Sequence, residues 1–543
     1  MSLAVVQSRA LVGVAAPPVS VEVHLGLGLP AFHVVGLPET EVRESRERVR
    51  AALLHAGFDF PNRRLTVNLA PADLPKDSGR FDLPIALGIL AASGQLPAAS
   101  LDGVEFVGEL SLTGQVRPIR GAIALAAAVA RTAGTRGLAL PAANAGEAAL
   151  VDGLRIVAAD TLPRLVAQLR GELPFERVEP ERRRAGLGAD GAPAAEFGAV
   201  KGHRAAKRAL EIAAAGRHSV LMLGPPGAGK SLLAACLPAI LPPMDDDDAL
   251  QAASVASLAG RFRPEDWGRR PFRAPHHSAS TAALVGGGPN PRPGEISLAH
   301  HGVLFLDELP EFGRGALEAL REPLETGRIA LSRAARQVEL PADFQLVGAM
   351  NPCPCGYLGE DRCRCTPEQV LRYQGRLSGP LLDRIDIQIR VRPVDEQVLT
   401  SPANGEATET ILARVTAAQA RQLARQGIAN AALGPAGIDR HCPLDPDALS
   451  LLHAAARRLR WSSRALHRAI RLARTIADLA GRDRIGATDV GEAIGYRRGL
   501  LTGPEPTAGV GPIAGAGPTP DPGRQPGRGL SSGHPSIPAA GPP

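Results

Sequence analysis

The sequence predicts a multidomain α/β protein, and the evidence lies in three stretches of its 543 residues. In residues 1–170, short β-like runs such as Val104–Leu110 alternate with Ala-rich helical stretches such as Ala122–Ala133, which predicts an α+β domain. Residues 196–395 alternate wholly apolar strands with helices, as parallel sheets do. Residues 396–502 follow a helical period throughout. The clearest helices there are Thr408–Gln426 and Ser463–Leu479.

Two further segments are predicted to lie outside the folded domains. Residues 171–195 are charged at first and then rich in Gly, Ala and Pro, which is typical of a linker. Residues 503–543 are dominated by Gly and Pro and contain almost no large apolar side chains. Because such a composition cannot bury a core, we expect a disordered tail.

Composition restricts the class of protein further. The net charge of +6 and the pI near 9.3 are compatible with a polyanionic partner, but over so long a chain they favour nucleic acid only weakly. No apolar run approaches the roughly 18 residues that a membrane helix needs. The N-terminus has no basic region before its apolar residues, as a signal peptide would have. We therefore expect a cytoplasmic protein with no membrane partner.

A glycine-rich segment between a predicted strand and a predicted helix carries the strongest chemical signal. It follows the apolar run Ser219–Leu223 and opens into an apolar helix that reaches Cys236. Backbone N–H groups of such a loop converge on phosphate oxygens at a helix N-terminus, so the pattern predicts a nucleoside triphosphate site rather than a simple turn. Lys230 would reach the β- and γ-phosphates, and Ser231 would hold Mg²⁺. The predicted phosphate loop consists of Gly224, Pro225, Pro226, Gly227, Ala228, Gly229, Lys230 and Ser231.

A second segment indicates that the nucleotide is hydrolysed. The apolar run Gly302–Leu306 ends in two carboxylates, Asp307 and Glu308. Asp307 can bind Mg²⁺ through water, and Glu308 can polarise an attacking water as a general base. The alternative is a strand that ends in two solvated acids. With the phosphate loop upstream, the pair predicts an ATPase with ATP and Mg²⁺ as cofactors.

Four of the six cysteines fall within thirteen residues. Thiolates so close together suit tetrahedral Zn²⁺, and a reducing cytosol disfavours disulfides. Free or redox-active thiols are the alternative. The predicted structural zinc site comprises Cys353, Cys355, Cys363 and Cys365, while Cys236 and Cys442 are interpreted as ordinary buried thiols. The acidic run Asp245–Asp248 is interpreted as an exposed loop rather than as a metal site.

Taken together, these motifs resemble the ComM/YifB family of magnesium-chelatase-like AAA+ ATPases. The resemblance extends from residue 1 to about residue 500, and only the tail departs from it. It implies an AAA+ P-loop core, a C-terminal helical lid and assembly into a homohexamer. The segments that carry it are Pro71–Leu83, the phosphate loop, Pro271–His277, Gly302–Glu308, Arg321–Thr326 and Asn351–Cys355.

The resemblance also implies roles for three further residues. Asn351, at the end of the predicted strand Phe344–Met350, corresponds to the first sensor, which contacts the γ-phosphate or the water. Arg384 resembles the arginine finger that acts across a subunit boundary, and Arg464 resembles the second sensor in the lid. An isolated arginine is more often a surface residue, but the flanking sequence favours these assignments.

Residues 327–340 are predicted to form a β-hairpin with a basic tip. In related hexameric helicases a hairpin just before the first sensor projects into the central pore. Arg333 and Arg336 would then bind DNA phosphates. A solvated hairpin tip is the alternative.

The N-terminal domain resembles the proteolytic (S5-like) domain of Lon but lacks its catalytic pair. Aligned without gaps, the position of the serine nucleophile is Arg80 and that of the catalytic lysine is Ile123. Ser78 is two positions out of register, and Lys76 is interpreted as a structural or DNA-facing charge. The domain is therefore expected to be noncatalytic, with no protease activity.

The family resemblance implies a hexameric helicase that migrates DNA branches in recombination and natural transformation, with branched or single-stranded DNA as its partner. One alternative is an ATPase that drives metal insertion, as in magnesium chelatase. Another is an ATP-dependent scaffold that remodels proteins. DNA-stimulated ATPase activity would distinguish the first function from the other two.

Overall fold

The computed structural model describes residues 2–37, 40–74, 76, 78–180, 196–288, 291–333, 336–402 and 405–497. These residues all lie within one compact unit, Met1–Thr502. Residues 181–195 of the predicted linker and the predicted tail, 503–543, lie outside the described residues.

The N-terminal part is built on a mixed seven-stranded sheet with the order β3-β4-β2-β1-β5-β8-β9. Helix α2 is buried along nearly its whole length against β1 and β2. Gly88 allows this close approach, since a Cβ there would lie 2.5 Å from the Val23 side chain. The strands are β1 (Ser2–Arg9), β2 (Pro18–Gly26), β3 (Ala31–Val35), β4 (Arg64–Ala70), β5 (Val104–Phe106), β6 (Glu109–Leu110), β7 (Val116–Arg117), β8 (Gly137–Pro141) and β9 (Arg155–Ala159). The helices are α1 (Thr40–His55), α2 (Asp82–Ala92), α3 (Ala122–Ala130), α4 (Ala142–Ala148) and α5 (Leu162–Leu169).

The predicted run Val104–Leu110 is not one strand. Its first three residues form β5 in the large sheet, whereas its last two form β6 in a separate hairpin with β7. The chain turns at Gly108, whose N–H donates to the Arg80 carbonyl oxygen at 2.8 Å. A Cβ at Gly108 would lie 2.8 Å from Val116. A close tertiary contact therefore divides a segment whose local pattern predicts a single strand.

The middle part contains a five-stranded sheet with the order β11-β14-β17-β10-β18, in which every pair is parallel. The central strands are completely buried, as their apolar sequences predict. This arrangement confirms an α/β fold with a parallel-sheet core. The strands are β10 (Val220–Leu223), β11 (Phe272–Arg273), β12 (Gly286–Gly287), β13 (Arg292–Pro293), β14 (Val303–Leu306), β15 (Arg328–Arg333), β16 (Arg336–Pro341), β17 (Gln345–Met350) and β18 (Ile387–Arg390). The helices are α6 (Arg204–Gly216), α7 (Lys230–Cys236), α8 (Asp246–Leu258), α9 (Thr281–Val285), α10 (Glu295–Leu298), α11 (Arg314–Ala319), α12 (Pro323–Thr326), α13 (Pro367–Gln374), α14 (Gly379–Leu382) and α15 (Glu396–Thr400).

The acidic run Asp245–Asp248, expected as a loop, instead begins helix α8. Asp245 is the N-cap, and its carboxylate accepts a hydrogen bond from the Asp248 N–H at 2.7 Å. Carboxylates in the first turn stabilise a helix because they face its positive end. A run of acids just before an apolar period is therefore better explained as a helix start.

The C-terminal part is helical. Helices α16 and α19 begin and end at the predicted residues, and Ser462 caps α19 by accepting a hydrogen bond from the Ala465 N–H at 3.2 Å. Their apolar faces share one core with α6 and the parallel sheet. The helices are α16 (Thr408–Gln426), α17 (Pro435–His441), α18 (Pro446–Leu459), α19 (Ser463–Leu479) and α20 (Ala487–Gly495).

Two apolar clusters join the N-terminal and middle parts. In one, α3 packs on α8, with Trp267 buried beside them. In the other, Val12 and Val14 lie against Val338 and Leu340 of strand β16. The N-terminal part thus packs against helix α8 and the β15–β16 hairpin of the middle part. No helix in the described part of the chain is both long and apolar enough to cross a membrane.

Candidate active site

The predicted phosphate loop joins the carboxyl end of β10 to the first residue of α7. Gly227 and Gly229 have φ angles of +76° and +79°, in the left-handed region that glycine adopts without strain. A Cβ at Gly224 would lie 2.2 Å from the Val391 carbonyl oxygen, so only glycine fits there. The loop conformation therefore depends on its glycines.

The Lys230 side chain folds back onto this loop and is hydrogen-bonded to Asn351 at the end of β17. The Lys230 ammonium donates to the carbonyl oxygens of Gly224 and Pro225 at 2.8 and 2.9 Å, and to Asn351 Oδ1 at 3.1 Å. Burial lowers the pKa of Lys230, although nearby carboxylates act in the opposite direction. The pairing of β10 with β17 produces this meeting, because it aligns Leu223 with Met350 at the carboxyl edge of the sheet.

The two residues predicted to bind Mg²⁺ are in direct contact. Ser231 Oγ donates to Asp307 Oδ2 at 2.6 Å, so the hydroxyl and the carboxylate can share one ion. The second oxygen, Asp307 Oδ1, accepts from the Glu308 N–H at 2.9 Å. A hydroxyl and a carboxylate beside a phosphate site are the donors that Mg²⁺ prefers. These residues therefore fit an Mg²⁺–nucleotide complex.

Glu308 has a partner that sequence reasoning did not assign. Its Oε2 lies 3.1 Å from Nδ1 of His277, and its backbone is left-handed with φ of +52°. His277 follows β11, which pairs in parallel with β14, so both residues emerge at the same edge of the sheet. The signal was present in the segment Pro271–His277, whose two histidines follow a short strand after two intervening residues.

Arg384 and Arg464 lie close together around one acidic residue, Glu325. Both contact the Glu325 carboxylate, at 2.6 and 3.6 Å respectively. Arg384 is buried and also donates to the Pro380 carbonyl oxygen at 2.7 Å, whereas Arg464 is well exposed. All three residues line a cavity of about 1350 Å³. The structure therefore places both arginines around Glu325.

The hairpin predicted for residues 327–340 is present as the antiparallel pair β15 and β16. Its last backbone pair is Arg333 with Arg336, which places both residues at the tip. Residues 334–335 lie outside the described part of the chain. Contact of the two arginines with DNA stays a prediction.

The four clustered cysteines converge just after β17. Their sulfur atoms all lie within 4.8 Å of one another, and all four are free thiols. Hydrogen bonds from the backbone N–H groups of Arg364 and Tyr357 lower the pKa of Cys355 to about 6. Burial raises the pKa of Cys353 to about 12. The group is a possible metal site.

The N-terminal residues at and near the positions of the Lon dyad are engaged in other contacts. Ser78 has φ of +63°, and its hydroxyl accepts a hydrogen bond from Arg80 Nε at 2.8 Å. Ile123 is completely buried. The buried Lys76 ammonium donates to the Pro71 carbonyl oxygen, so Lys76 acts as a structural charge.

Comparison with known proteins gives matches along most of the chain. Three family models match: "Magnesium chelatase, subunit ChlI" over residues 196–399, "Subunit ChlI of Mg-chelatase" over 21–144, and the ChlI C-terminal model over 405–497. The competence protein ComM of Haemophilus influenzae is 48% identical over 499 residues, covering 92% of this chain and 98% of that protein. The protein YifB of Salmonella typhimurium is 47% identical, covering 92% and 97%. The magnesium-chelatase 38 kDa subunit of Cereibacter sphaeroides is 26% identical over 214 residues, covering 36% and 58%.

Proposed function

Because this chain belongs to the ComM/YifB family of magnesium-chelatase-like AAA+ ATPases, we propose that it is an ATP-driven motor that acts on DNA as a homohexameric ring. One observation carries the proposal. The groups suited to binding and hydrolysing ATP meet at one edge of the parallel sheet, while two arginines suited to stabilising the transition state gather around Glu325. We infer that each subunit contributes its arginines to a neighbour's ATP.

Each group at the sheet edge has a definite task. The loop N–H groups and Lys230 bind the phosphates, and the ammonium exchanges its carbonyl partners for phosphate oxygens. Ser231 and Asp307 would hold Mg²⁺, which neutralises charge on the phosphate oxygens when bound. Glu308 accepts the proton of the attacking water, and Asn351 fixes that water or the γ-phosphate.

Arg384 and Arg464 would complete this site from the adjacent subunit. A guanidinium supplied across an interface stabilises the charge of the transferring phosphoryl group, which is worth about 10³–10⁵ in rate. In the isolated chain, the contact with Glu325 keeps the Arg384 guanidinium in a fixed position. Arg464 sits in helix α19, within the C-terminal helical lid proposed for residues 396–502.

DNA is the proposed substrate, with branch migration in recombination and natural transformation as the process. The relative named competence protein ComM and the basic hairpin formed by β15 and β16 support this proposal. The match to a magnesium-chelatase subunit favours a second candidate, an ATPase for metal insertion. An ATP-dependent protein-remodelling scaffold is the third. The Lon-like N-terminal domain would serve assembly or DNA contact without protease activity.

A structural zinc ion is the third cofactor that we propose, bound by the four clustered cysteines. Purified protein should then contain about one zinc per chain, and the double variant Cys353→Ser, Cys365→Ser should lose it. Elemental analysis that finds no metal in freshly reduced protein would contradict this assignment.

The decisive experiment is unwinding of forked and four-way junction DNA with the full chain. We expect ATP-dependent strand displacement and an ATPase rate that rises with DNA, both abolished in Glu308→Gln. ATPase activity that DNA leaves unchanged, together with no displacement, would favour metal insertion or protein remodelling instead.

A further inference from the structure

We propose that the four-cysteine loop is a zinc-dependent brace that holds the phosphate loop and Asn351 in the arrangement that binds ATP. The proposal rests on the ATPase and the zinc site proposed above, and it adds control of nucleotide affinity by the metal. It follows from three observations on residues 351–365.

The sulfur positions fit one tetrahedral ion. Cys353 and Cys355 have sulfur atoms 3.4 Å apart, and Cys363 lies 3.9 and 3.7 Å from these two. Four thiolates at the usual Zn–S distance would be separated by about 3.8 Å. A disulfide needs sulfur atoms at about 2.05 Å, so the spacing matches metal ligands rather than a cross-link. Four sulfur ligands leave no open position, as in structural zinc sites.

The loop that these cysteines close rests directly on the phosphate loop. Gly356 has φ of +87°, and a Cβ built on it would lie 2.4 Å from Cδ of Pro226. The Gly356 N–H donates to the Cys353 carbonyl oxygen at 3.0 Å, so the turn at the contact is part of the cysteine loop itself. Moving the cysteine loop must therefore move, or release, Pro226.

The same loop also fixes Asn351. Only Pro352 separates Asn351 from Cys353, and the Pro352 carbonyl oxygen accepts from Gln374 Nε2 at 2.9 Å. Asn351 in turn accepts a hydrogen bond from Lys230. Residues 351–356 thus connect the proposed zinc site to Lys230, through Asn351, and to Pro226 of the phosphate loop.

The consequence is a reciprocal coupling between zinc and ATP. If zinc stabilises the arrangement that binds ATP, ATP must tighten zinc binding by the same factor. A coupling of typical size corresponds to about tenfold in affinity.

The test uses full-length Glu308→Gln protein, which should bind ATP without consuming it. We expect a fluorescent ATP analogue to bind about tenfold more weakly after a chelator removes the zinc, and to regain its affinity when zinc is restored. We also expect ATP to slow the release of zinc to the chelator. Cys363→Ser should reproduce the loss, whereas Cys442→Ser, which changes a buried thiol outside the cluster, should not.

Two glycine variants distinguish the effect of the contact with Pro226 from the effect of backbone strain in the cysteine loop. Gly356→Ala should retain zinc but bind the analogue more weakly, because the new methyl meets Pro226. Gly359→Ala imposes similar strain in the same loop, at φ of +90°, but its methyl would have no neighbour within 4 Å. Protein that contains no zinc, or equal ATP affinity with and without zinc, would overturn the brace while leaving the ATPase assignment intact. Zinc-loaded protein that fails to bind the analogue would overturn both.

Discussion

The guanidinium of Arg384 lies 2.6 Å from the carboxylate of Glu325 within the same chain, and Arg464 approaches the same carboxylate. A single acid therefore contacts both arginines that we assign to a neighbouring subunit's ATP. Because Arg384 is buried, the carboxylate also compensates a charge that water reaches poorly.

Glu325→Gln should slow ATP hydrolysis more than it weakens ATP binding. The amide keeps the shape of Glu325 but not its charge, so both guanidiniums lose their common anchor. We expect a tenfold or larger fall in kcat with little change in nucleotide Kd, since a misplaced catalytic group costs about 10²-fold. Glu172→Gln, on the N-terminal surface, is the matched control. A fall in nucleotide affinity alone would contradict this assignment.

Three variants should separate binding from hydrolysis. Lys230→Ala removes the ammonium group of the phosphate loop and should abolish nucleotide binding. Glu308→Gln and Arg384→Ala should instead bind ATP and hydrolyse it slowly. Mixing Glu308→Gln with Arg384→Ala subunits should restore part of the activity, because some interfaces then contain both intact groups. Full ATPase activity of an isolated monomer would be incompatible with a finger that acts in trans.

His277→Ala should lower kcat without changing the Kd for ATP. The imidazole lies against Glu308 and limits the positions that its carboxylate can take. We expect a loss of about 10- to 100-fold in steady-state hydrolysis. His453→Ala, on an exposed face of α18, controls for the loss of an imidazole. An unchanged kcat would mean that Glu308 is oriented by other contacts.

Arg333→Ala combined with Arg336→Ala should weaken DNA binding equally for all sequences. Phosphate contacts release counterions, so each lost contact should flatten the dependence of log K on log salt by about 0.9. ATPase activity without DNA should survive. A double variant that unwinds branched DNA at the original rate would show that DNA follows another path.

The N-terminal domain should cleave no peptide. A serine nucleophile needs an adjacent base, but the Ser78 hydroxyl accepts a hydrogen bond from the Arg80 guanidinium. Incubation of the full chain with casein and with fluorogenic peptides measures this directly. Cleavage that disappears in Ser78→Ala would refute it.

Local patterns predicted the helices well but could not predict contacts between distant segments. Helix α19 could be placed because its apolar period and its Ser462 cap are both local features. The break at Gly108 depends on Arg80 and Val116, which only the folded chain brings near it. In the site, the family resemblance assigned Asn351 to the nucleotide, but its hydrogen bond with Lys230 became visible only once β10 and β17 paired. The contacts of His277, Glu325 and Gly356 join segments whose proximity no local period encodes.

The packing of Val12 and Val14 on Val338 and Leu340 has a mechanical consequence. Both valines lie in the segment between β1 and β2, and their apolar contact with β16 resists separation because parting it would expose both surfaces to water. If the hairpin moves along DNA as we propose, it must either bend beyond Val338 or carry the segment between β1 and β2 with it. The N-terminal part would then limit how far the hairpin travels in each cycle of ATP hydrolysis.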